Sequence, residues 1–325
     1  MAERALITGG AGFIGLHLAR QLLAAGTEVT ILDDFSRGRP DPELREVGRS
    51  ATVVRHDLTT PIPLGLLPGR YDQVYHLAAV VGVRTAGEQP ARVLEVNLRA
   101  AWHLLDWCRR RPPGGLFLSS TSEVADGAAR LGLVGFPVPE TGPFVLPDPA
   151  LPRASYPLSK AVAEAMFRHA AGQFPVRIGR YHNVYGPRMG YDHVIPQFIG
   201  RALARQDPFP IYGAGQSRAF CHVTDAVRAT VALARLPAGP PVLVANIGND
   251  REEIRIDRLA ERVAGLAGYR PRWQRRDPPA GSPERRLPDL SVLHRLTGYA
   301  PAIDLAAGLP GTLAWYAAAA RDGAG

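Results

Sequence analysis

The hydrophobic and polar positions in the first half of the chain follow two alternating patterns. Short runs of β-branched and aliphatic residues recur, and stretches with apolar residues at helical spacing lie between them. This alternation predicts parallel strands that are covered by helices. The predicted strands are residues 5–8, 28–33, 52–56, 73–76, 116–119 and 176–181. The predicted helices of this half are residues 12–25, 90–111 and 156–173.

Beyond about residue 180 the chain has longer loops, shorter helices and more prolines. Helices are predicted here at residues 194–205, 224–236, 257–267 and 305–320. We therefore expect an α/β protein in which residues 1–180, with a return segment at about 219–248, form a doubly wound parallel sheet of the Rossmann type. Residues 181–325 would mainly form a smaller C-terminal lobe over the carboxyl ends of the strands, where such sheets bind ligands.

The composition narrows the class of protein. Hydrophobic residues make up 46% and charged residues 21% of the chain, which is ordinary for a soluble globular protein. We expect no membrane contact, because no apolar run is long enough to span a bilayer and no apolar leader precedes the first strand. The net charge of +8 is scattered, which argues against nucleic acid as a partner. Cys108 and Cys221 lack metal-binding spacing, so we expect a cytoplasmic protein with no metal site.

A glycine-rich turn follows the first predicted strand and opens the first predicted helix. It reads Gly9-Gly10-Ala11-Gly12-Phe13-Ile14-Gly15. Gly9 permits the tight turn, Gly12 lets the backbone approach a pyrophosphate, and Gly15 lets the helix pack closely on the sheet. Residues 1–180 are therefore predicted to be a dinucleotide-binding domain.

Acidic residues at the ends of the next two strands extend this cofactor site. Asp33 ends the second strand, where a carboxylate binds the adenosine ribose and repels a 2′-phosphate, so NAD is favoured over NADP. Arg37 and Arg39 lie close by and leave that preference open. Asp57 and Leu58 follow the third strand, where an adenine amine can be bound, although a plain strand-end aspartate explains them nearly as well.

Tyr156 and Lys160 are one helical turn apart on a common face. Of the 38 basic residues, Lys160 is the only lysine, which suggests a chemical role for it. A tyrosine has an ordinary pKa of ~10, and a nearby ammonium together with a bound nicotinium favours its phenolate, which can act as a base. Thr121 can bind the substrate oxygen that Tyr156 deprotonates, and Glu123 is a candidate second acid or base.

Taken in their order, these motifs resemble those of the extended short-chain dehydrogenase/reductase family of nucleotide-sugar epimerases and dehydratases. The stretches that carry the resemblance are residues 9–15, 76–79, Asn97, 121–123, 156–160, 180–188, 212–218 and 286–289. They span essentially the whole chain, which makes the resemblance far more specific than any single motif.

The resemblance implies NAD as cofactor, a nucleotide-diphosphate sugar as substrate, and a homodimer. In such enzymes the helices that here cover residues 97–111 and 156–173 form the interface, and the apolar residues Trp102, Leu105 and Trp107 agree with this. Besides the glycine turn and the dyad, the implied cofactor contacts are Phe13, Ile14, Asp33, Asp57, Leu58, Leu77, Ala78, Ala79, Asn97, Ser119 and Tyr181. The implied substrate contacts are Arg84, Thr121, Ser122, Asn183, His193, Val194, Arg218 and Arg286.

The reaction that follows oxidation at sugar C4 stays open at this point. Gly82-Val83-Arg84 resembles the loop of 4-epimerases, and we expect epimerisation on that basis. Thr121-Ser122-Glu123 instead resembles the motif of UDP-glucuronate decarboxylases and of certain sugar dehydratases, in which the glutamate assists the second step. A carbonyl reductase and a non-catalytic NAD-binding protein are weaker alternatives.

The chain departs from the family pattern next to Glu123. The usual Tyr-Gly after this motif is Ala125-Asp126 here, and the following segment, residues 127–139, is lengthened. These changes lie in the predicted sugar pocket, so the identity of the sugar does not follow from the resemblance.

Overall fold

The computed structural model describes residues 2–38, 40–146, 148–237 and 239–321, without the side chain of Val83. The strands are β1 (Arg4–Thr8), β2 (Glu28–Asp33), β3 (Thr52–Arg55), β4 (Gln73–His76), β5 (Gly115–Thr121), β6 (Val176–Tyr181), β7 (Val184–Tyr185), β8 (Phe209–Tyr212), β9 (Ser217–Ala219), β10 (Cys221–His222), β11 (Val242–Ile247), β12 (Glu253–Arg255), β13 (Trp273–Arg276) and β14 (Arg285–Arg286). The helices are α1 (Phe13–Ala24), α2 (Pro42–Val47), α3 (Val83–Glu88), α4 (Pro90–Arg110), α5 (Asp126–Arg130), α6 (Ser155–Ala170), α7 (Val194–Leu203), α8 (Val223–Ala234), α9 (Ile256–Leu266), α10 (Ser291–Thr297) and α11 (Leu305–Arg321). Short 3₁₀ turns cover Ser122–Ala125 and Pro152–Ala154.

The central sheet has the strand order β11-β6-β5-β4-β1-β2-β3, and all of its strands are parallel. This confirms the predicted doubly wound α/β fold. All six predicted strands are present, and β5 runs two residues further than predicted, so that Thr121 is its last residue. The chain returns to the sheet through α8 and β11, which pairs with β6.

Side chains from β1 show how the sheet is buried on both faces. Ile7 packs into a core with α1 and α8, whereas the preceding Leu6 packs into a second core with α4 and α6. Successive residues of a strand point to opposite faces, so a strand covered on both sides is apolar throughout. The register places Thr8 opposite Leu32 and His76, and the segments that follow these strands meet at one edge.

Two of the three apolar residues expected at a dimer interface do not lie on the surface of the monomer. Leu105 and Trp107 are buried inside the monomer, at 2% and 1% exposure, because they belong to the core that α4 shares with α6 and one face of the sheet. That part of the interface argument was therefore wrong. Only Trp102 of the three is exposed, at 56%.

The C-terminal lobe has its own core, formed by α7, α9 and α11 with β8. Its strands form small sheets, in which β9 pairs with β12 and β14 and β8 pairs with β13. Within the described ranges, no helix is both long enough and apolar enough to cross a membrane.

Candidate active site

The glycine turn joins the end of β1 to the start of α1. Gly9 has φ +72°, and a Cβ atom there would lie 2.6 Å from the backbone nitrogen of Ala78. A Cβ atom on Gly15 would lie 2.3 Å from the carbonyl oxygen of Gly9, so both positions require glycine. Gly12 caps α1 without a side-chain hydrogen bond, which leaves the first amide groups of the helix to bind an anion such as a pyrophosphate.

Asp33 lies beside this turn at the end of β2. Its Oδ2 accepts a hydrogen bond from the backbone nitrogen of Ala11 at 2.9 Å, and its Oδ1 accepts one from that of Phe35 at 2.9 Å. Burial raises the pKa of Asp33, and these two donors oppose the rise. The carboxylate is thus held rigidly where an adenosine ribose would bind, and its second lone pairs can accept the ribose hydroxyls.

Arg37 points away from the ribose position. Its Nη1 donates to the carbonyl oxygen of Val81 at 3.2 Å, and its charge acts on Asp192 and Tyr156. Arg37 is one of the two arginines that left the choice between NAD and NADP open, and its side chain is engaged elsewhere. Arg39 lies outside the described residues.

Arg188 was not among the predicted site residues, although it ends the 180–188 stretch of the family resemblance. Its Nη1 donates to the carbonyl oxygens of Ala11 at 2.7 Å and Gly12 at 3.0 Å. Its Nε donates to Asp41 at 2.7 Å, and the side chain is buried. Its own backbone has a positive φ of 71°, which these contacts must stabilise. Arg188 therefore holds the glycine turn in place from the loop that follows β7.

We expect Arg188→Ala to weaken NAD binding by at least ~10-fold, because the turn that faces the pyrophosphate loses the side chain that holds it in place. Isothermal titration calorimetry with NAD measures this. Arg235→Ala, which removes a partly exposed partner of Glu3, is the matched control and should leave the affinity unchanged. A folded Arg188→Ala variant with the native affinity would contradict the assignment.

The other predicted cofactor residues are distributed around the same edge of the sheet. Phe13 and Ile14 begin α1, Asp57 and Leu58 follow β3, Leu77, Ala78 and Ala79 follow β4, and Ser119 lies near the end of β5. The hydroxyl group of Tyr181 is 2.6 Å from that of Thr230 on α8.

Asn97 is buried on α4, and both the oxygen and the nitrogen of its side-chain amide form hydrogen bonds within the protein. Its Oδ1 accepts from the backbone nitrogen of Val80 at 2.7 Å, and its Nδ2 donates to the carbonyl oxygen of Val80 at 3.1 Å and to the hydroxyl of Ser159 at 3.0 Å. Asn97 thus ties the segment after β4 to α6, the helix that carries the dyad.

Tyr156 lies in the first turn of α6, and Thr121 approaches its hydroxyl group from the end of β5. Burial and the carboxylate of Glu123 raise the pKa of Tyr156, whereas Thr121, Arg37 and Arg286 lower it. The net direction is upward. The tyrosine therefore needs an additional positive charge, such as that of a nicotinium ring, before its phenolate can serve as a base.

Lys160 lies with its Nζ 6.0 Å from the ring centre of Tyr156. Its Nζ donates to the carbonyl oxygen of Ser119 at 3.0 Å. Burial lowers the pKa of Lys160 to about 8, and Glu164 opposes this. The side chain is still largely an ammonium at neutral pH, as the proposed dyad requires.

Glu164, one turn further along α6, anchors this helix to the sheet. It is completely buried, and it accepts hydrogen bonds from Ser120 at 2.6 Å and from Nε and Nη2 of Arg180 at 2.9 Å each. The network connects α6 with β5 and β6 behind the dyad. Sequence reasoning missed it because no local pattern pairs residues on three separate elements.

Glu123 and Arg286 form an ion pair close to Tyr156. The carboxylate of Glu123 is 3.3 Å from Nη2 of Arg286, and both side chains are largely buried. Asp126 pairs with the same guanidinium through Nε and Nη2. Burial lowers the pKa of Arg286, but the two carboxylates outweigh burial and leave the pKa raised. Asp126, one of the departures from the family pattern, therefore fixes one edge of Arg286, and Nη1 has no hydrogen-bond partner among the described residues.

A cavity of about 930 Å³ opens beside this ion pair, between residues 122–161 and residues 279–287. Arg153, three residues before Tyr156, lines it. Burial lowers the pKa of Arg153, while Glu123 raises it. The guanidinium makes no hydrogen bond or ion pair with the rest of the described chain, so it is available to an anionic group in the cavity.

The predicted substrate residues of the second lobe are held by backbone contacts. Asn183, with φ +40°, donates from Nδ2 to the carbonyl oxygen of Ala219 at 3.0 Å. Arg218 donates to the carbonyl oxygens of Ser217 at 2.7 Å and Pro283 at 2.6 Å, and burial lowers its pKa to about 10.

The other predicted substrate residues differ in exposure. Ser122 is buried and lines the cavity. His193 and Val194 are at the start of α7, where burial lowers the pKa of His193. Arg84 is on α3, with its side chain 70% exposed and 3.6 Å from Asp192, outside the cavity lining.

Neither cysteine takes part in this site. Cys108 and Cys221 are buried free thiols. In the part of the chain that the structure describes, no three His, Cys, Asp or Glu side chains form a group that could hold a metal ion.

Comparison with known proteins agrees with this geometry. The profile of the NAD-dependent epimerase/dehydratase family matches residues 5–248. The chain is 32% identical to a UDP-N-acetyl-alpha-D-glucosaminuronate decarboxylase from Bacillus cytotoxicus, over 97% of this chain and 98% of that protein. It is also 32% identical to UDP-glucuronic acid decarboxylase 1 from Xenopus tropicalis, over 97% of this chain and 72% of that protein.

A solved structure gives the same result for the fold. The UDP-glucose 4-epimerase of Thermotoga maritima superposes with a TM-score of 0.84 and 26% identity, over 98% of this chain and 99% of that one. The chain is an NAD-dependent enzyme that modifies nucleotide sugars, and it belongs to the NAD-dependent epimerase/dehydratase family.

Proposed function

We propose that this enzyme oxidises C4 of a nucleotide-activated uronic acid and then removes the C6 carboxylate as carbon dioxide. The observation that carries the proposal is the ion pair of Glu123 and Arg286, 3.3 Å apart, beside Tyr156. The similarity to two decarboxylases supports it. The sequence alone favoured 4-epimerisation, but the pairing of Glu123 with Arg286 favours a reaction in which Glu123 takes part.

The residues around the glycine turn fit the cofactor. Gly9 and Gly15 leave no room for a side chain, and Asp33 is fixed at the ribose position. When bound there, NAD supplies the acceptor for the C4 hydride and returns that hydride later. We assign the binding of its pyrophosphate to the turn and the binding of its nicotinamide ribose to Lys160.

In the oxidation step, the phenolate of Tyr156 takes the proton of the C4 hydroxyl group as the hydride leaves C4. The hydroxyl of Thr121 orients the same sugar oxygen. Lys160 stabilises the phenolate from within α6. The product is a 4-keto sugar that stays bound.

Loss of carbon dioxide follows because the C4 ketone is β to the C6 carboxylate. The C5–C6 bond breaks, its electrons move toward the C4 carbonyl oxygen, and C5 then takes a proton. Arg286 and Arg153 bind the carboxylate before it leaves, through charge-assisted hydrogen bonds. We assign to Glu123 the relay of this proton from water to C5. The hydride then returns to C4 and yields a nucleotide-activated pentose.

Epimerisation at C4 is the second candidate function. It needs only Tyr156 and Thr121 at the reacting carbon, which this site has, and the superposition on a UDP-glucose 4-epimerase favours it. In that reaction the ketone would rotate and take the hydride back on its other face. Glu123 and Arg286 would then only order the pocket.

We further propose that the enzyme acts as a cytoplasmic homodimer. Trp102 on α4 and Val162 on α6 are exposed at 56% and 38%, and these are the two helices that the resemblance assigns to the interface. Sedimentation velocity with wild type and Trp102→Glu tests this, since the charge should dissociate the dimer.

The test of the proposed function is incubation with NAD and a panel of UDP-, GDP-, ADP-, CDP- and dTDP-sugars, with products identified by mass and NMR. Decarboxylation predicts a UDP-pentose from a UDP-uronate, with loss of one carbon dioxide. Unchanged mass would indicate epimerisation, and loss of water would indicate dehydration.

A further inference from the structure

The ammonium group of Lys160 is bound to a neutral residue. Its side chain is buried, and Nζ donates to the carbonyl oxygen of Ser119 at 3.0 Å and lies 3.5 Å from the hydroxyl group of the same residue. Among the residues that the structure describes, no carboxylate forms an ion pair with this ammonium group. Burial without a paired charge favours the neutral amine, and it lowers the pKa of Lys160 to about 8. The dyad therefore works close to the pH at which Lys160 loses its charge.

Glu164 brings a negative charge to the same face of α6, one turn further along the helix. It is completely buried, and its Oε1 accepts a hydrogen bond at 2.6 Å from the hydroxyl group of Ser120, which follows the partner of Lys160 in β5. Nε and Nη2 of Arg180 on β6 donate to its two oxygens at 2.9 Å each, and Nη2 of Arg168 lies 3.4 Å away. These contacts fix the carboxylate inside the protein, where water screens its charge weakly. The charge of Glu164 opposes the effect of burial on Lys160.

The other described groups around Lys160 supply no negative charge. His76 on β4 is buried, and burial and Lys160 lower its pKa to about 3, so the ring is neutral. Burial raises the pKa of Tyr156, whose ring centre is 6.0 Å from Nζ, so its hydroxyl group keeps its proton at neutral pH. Helix α4 contributes the uncharged amide of Asn97, and the two arginines bound to Glu164 carry the opposite charge. Glu164 is therefore the group that stabilises the ammonium form of Lys160.

We propose that Glu164 is a positioning residue of the oxidation step, whose buried carboxylate keeps Lys160 in its ammonium form beside Tyr156. The charge on Lys160 stabilises the phenolate, so Glu164 acts on Tyr156 through Lys160. The ion pair with Arg180 fixes the carboxylate in the position that this requires. The inference rests on the role of Lys160 in the proposed function, and it holds equally if epimerisation follows the oxidation.

The titration of Lys160 can be observed directly, because it is the only lysine of the chain. Enzyme produced with lysine that carries ¹³C at Cε, and loaded with NAD, gives a single lysine resonance whose chemical shift reports protonation. Glu164→Gln keeps the size of the side chain and removes its charge, so the midpoint of the titration should move ~1 pH unit or more to lower pH. Ser120→Ala is the matched control, since it removes the 2.6 Å hydrogen bond but leaves the carboxylate, and it should keep the native midpoint.

The pH profile of the oxidation step gives an independent readout. The phenolate of Tyr156 loses its stabilising charge as the pH rises through the pKa of Lys160, so turnover falls there, and the fall should begin ~1 pH unit or more lower in Glu164→Gln. A purely structural role for Glu164 would lower the rate by the same factor at every pH. The resonance of Lys160 moves even if no carbon dioxide is released, so failure of the proposed function is distinguishable from failure of this inference.

A second variant covers a loss of folding in Glu164→Gln, which leaves the guanidinium group of Arg180 buried without a carboxylate. Glu164→Gln/Arg180→Met removes both charges. Of the two, the charge of Glu164 is the one that acts on Lys160, so the midpoint should again move to lower pH. A folded single or double variant with the native midpoint would overturn the inference.

Discussion

Tyr156→Phe is expected to lower turnover of the nucleotide sugar by ~10²–10⁴-fold, the contribution of a positioned general base. Phenylalanine keeps the ring and removes the hydroxyl group to which we assign removal of the C4 hydroxyl proton. NAD affinity should be unchanged, because the glycine turn, Asp33 and Lys160 remain. Turnover by product NMR and NAD binding by calorimetry measure the two effects separately.

The control for Tyr156→Phe is Tyr191→Phe, which removes a hydroxyl from a ring that is 49% exposed on the C-terminal lobe. It should have native activity. A Tyr156→Phe variant that keeps near-normal rates would show that another group removes the proton.

Glu123→Gln is expected to separate the two steps of the reaction. Release of carbon dioxide should fall by ~10²-fold or more, because the relay to C5 is lost. The oxidation step should persist, so the 4-keto sugar and NADH should accumulate, which absorbance and mass spectrometry detect. Asp126 keeps Arg286 in place, so the pocket should stay folded.

Glu123→Gln should also shift the pH dependence of the oxidation step. Glu123 raises the pKa of Tyr156, so removing its charge should lower that pKa and move the pH dependence of the oxidation step toward lower pH. Glu95→Gln, at an exposed pair on α4, is the control and should shift nothing. If Glu123→Gln releases carbon dioxide at the native rate, a group other than Glu123 delivers the proton to C5.

The sequence predicted those parts of the molecule that depend on local patterns. Strand periodicity predicted the sheet, and the spacing of Tyr156 and Lys160 predicted that the two side chains lie near each other on α6, because each pattern lies within one element. The turn of residues 9–15 was recognisable since its glycines serve a single strand-to-helix junction. These features require no knowledge of which elements pack together.

The parts that escaped prediction depend on contacts between distant residues. Arg188 holds a turn 176 and 177 positions earlier in the chain, and no pattern around it indicates that partner. Asp126 was noted only as a departure, although it fixes Arg286, which is 160 positions away. Trp107 was misplaced because α4 is covered by α6 as well as by the sheet, which only the tertiary structure reveals.

The central claim is that hydride leaves sugar C4 and returns to it around the loss of carbon dioxide. The most direct measurement uses UDP-glucuronate with deuterium at C4, and NMR of the product. The account predicts a UDP-pentose that retains deuterium at C4, with no net NADH. A six-carbon product, or a pentose that has lost its deuterium, would contradict it.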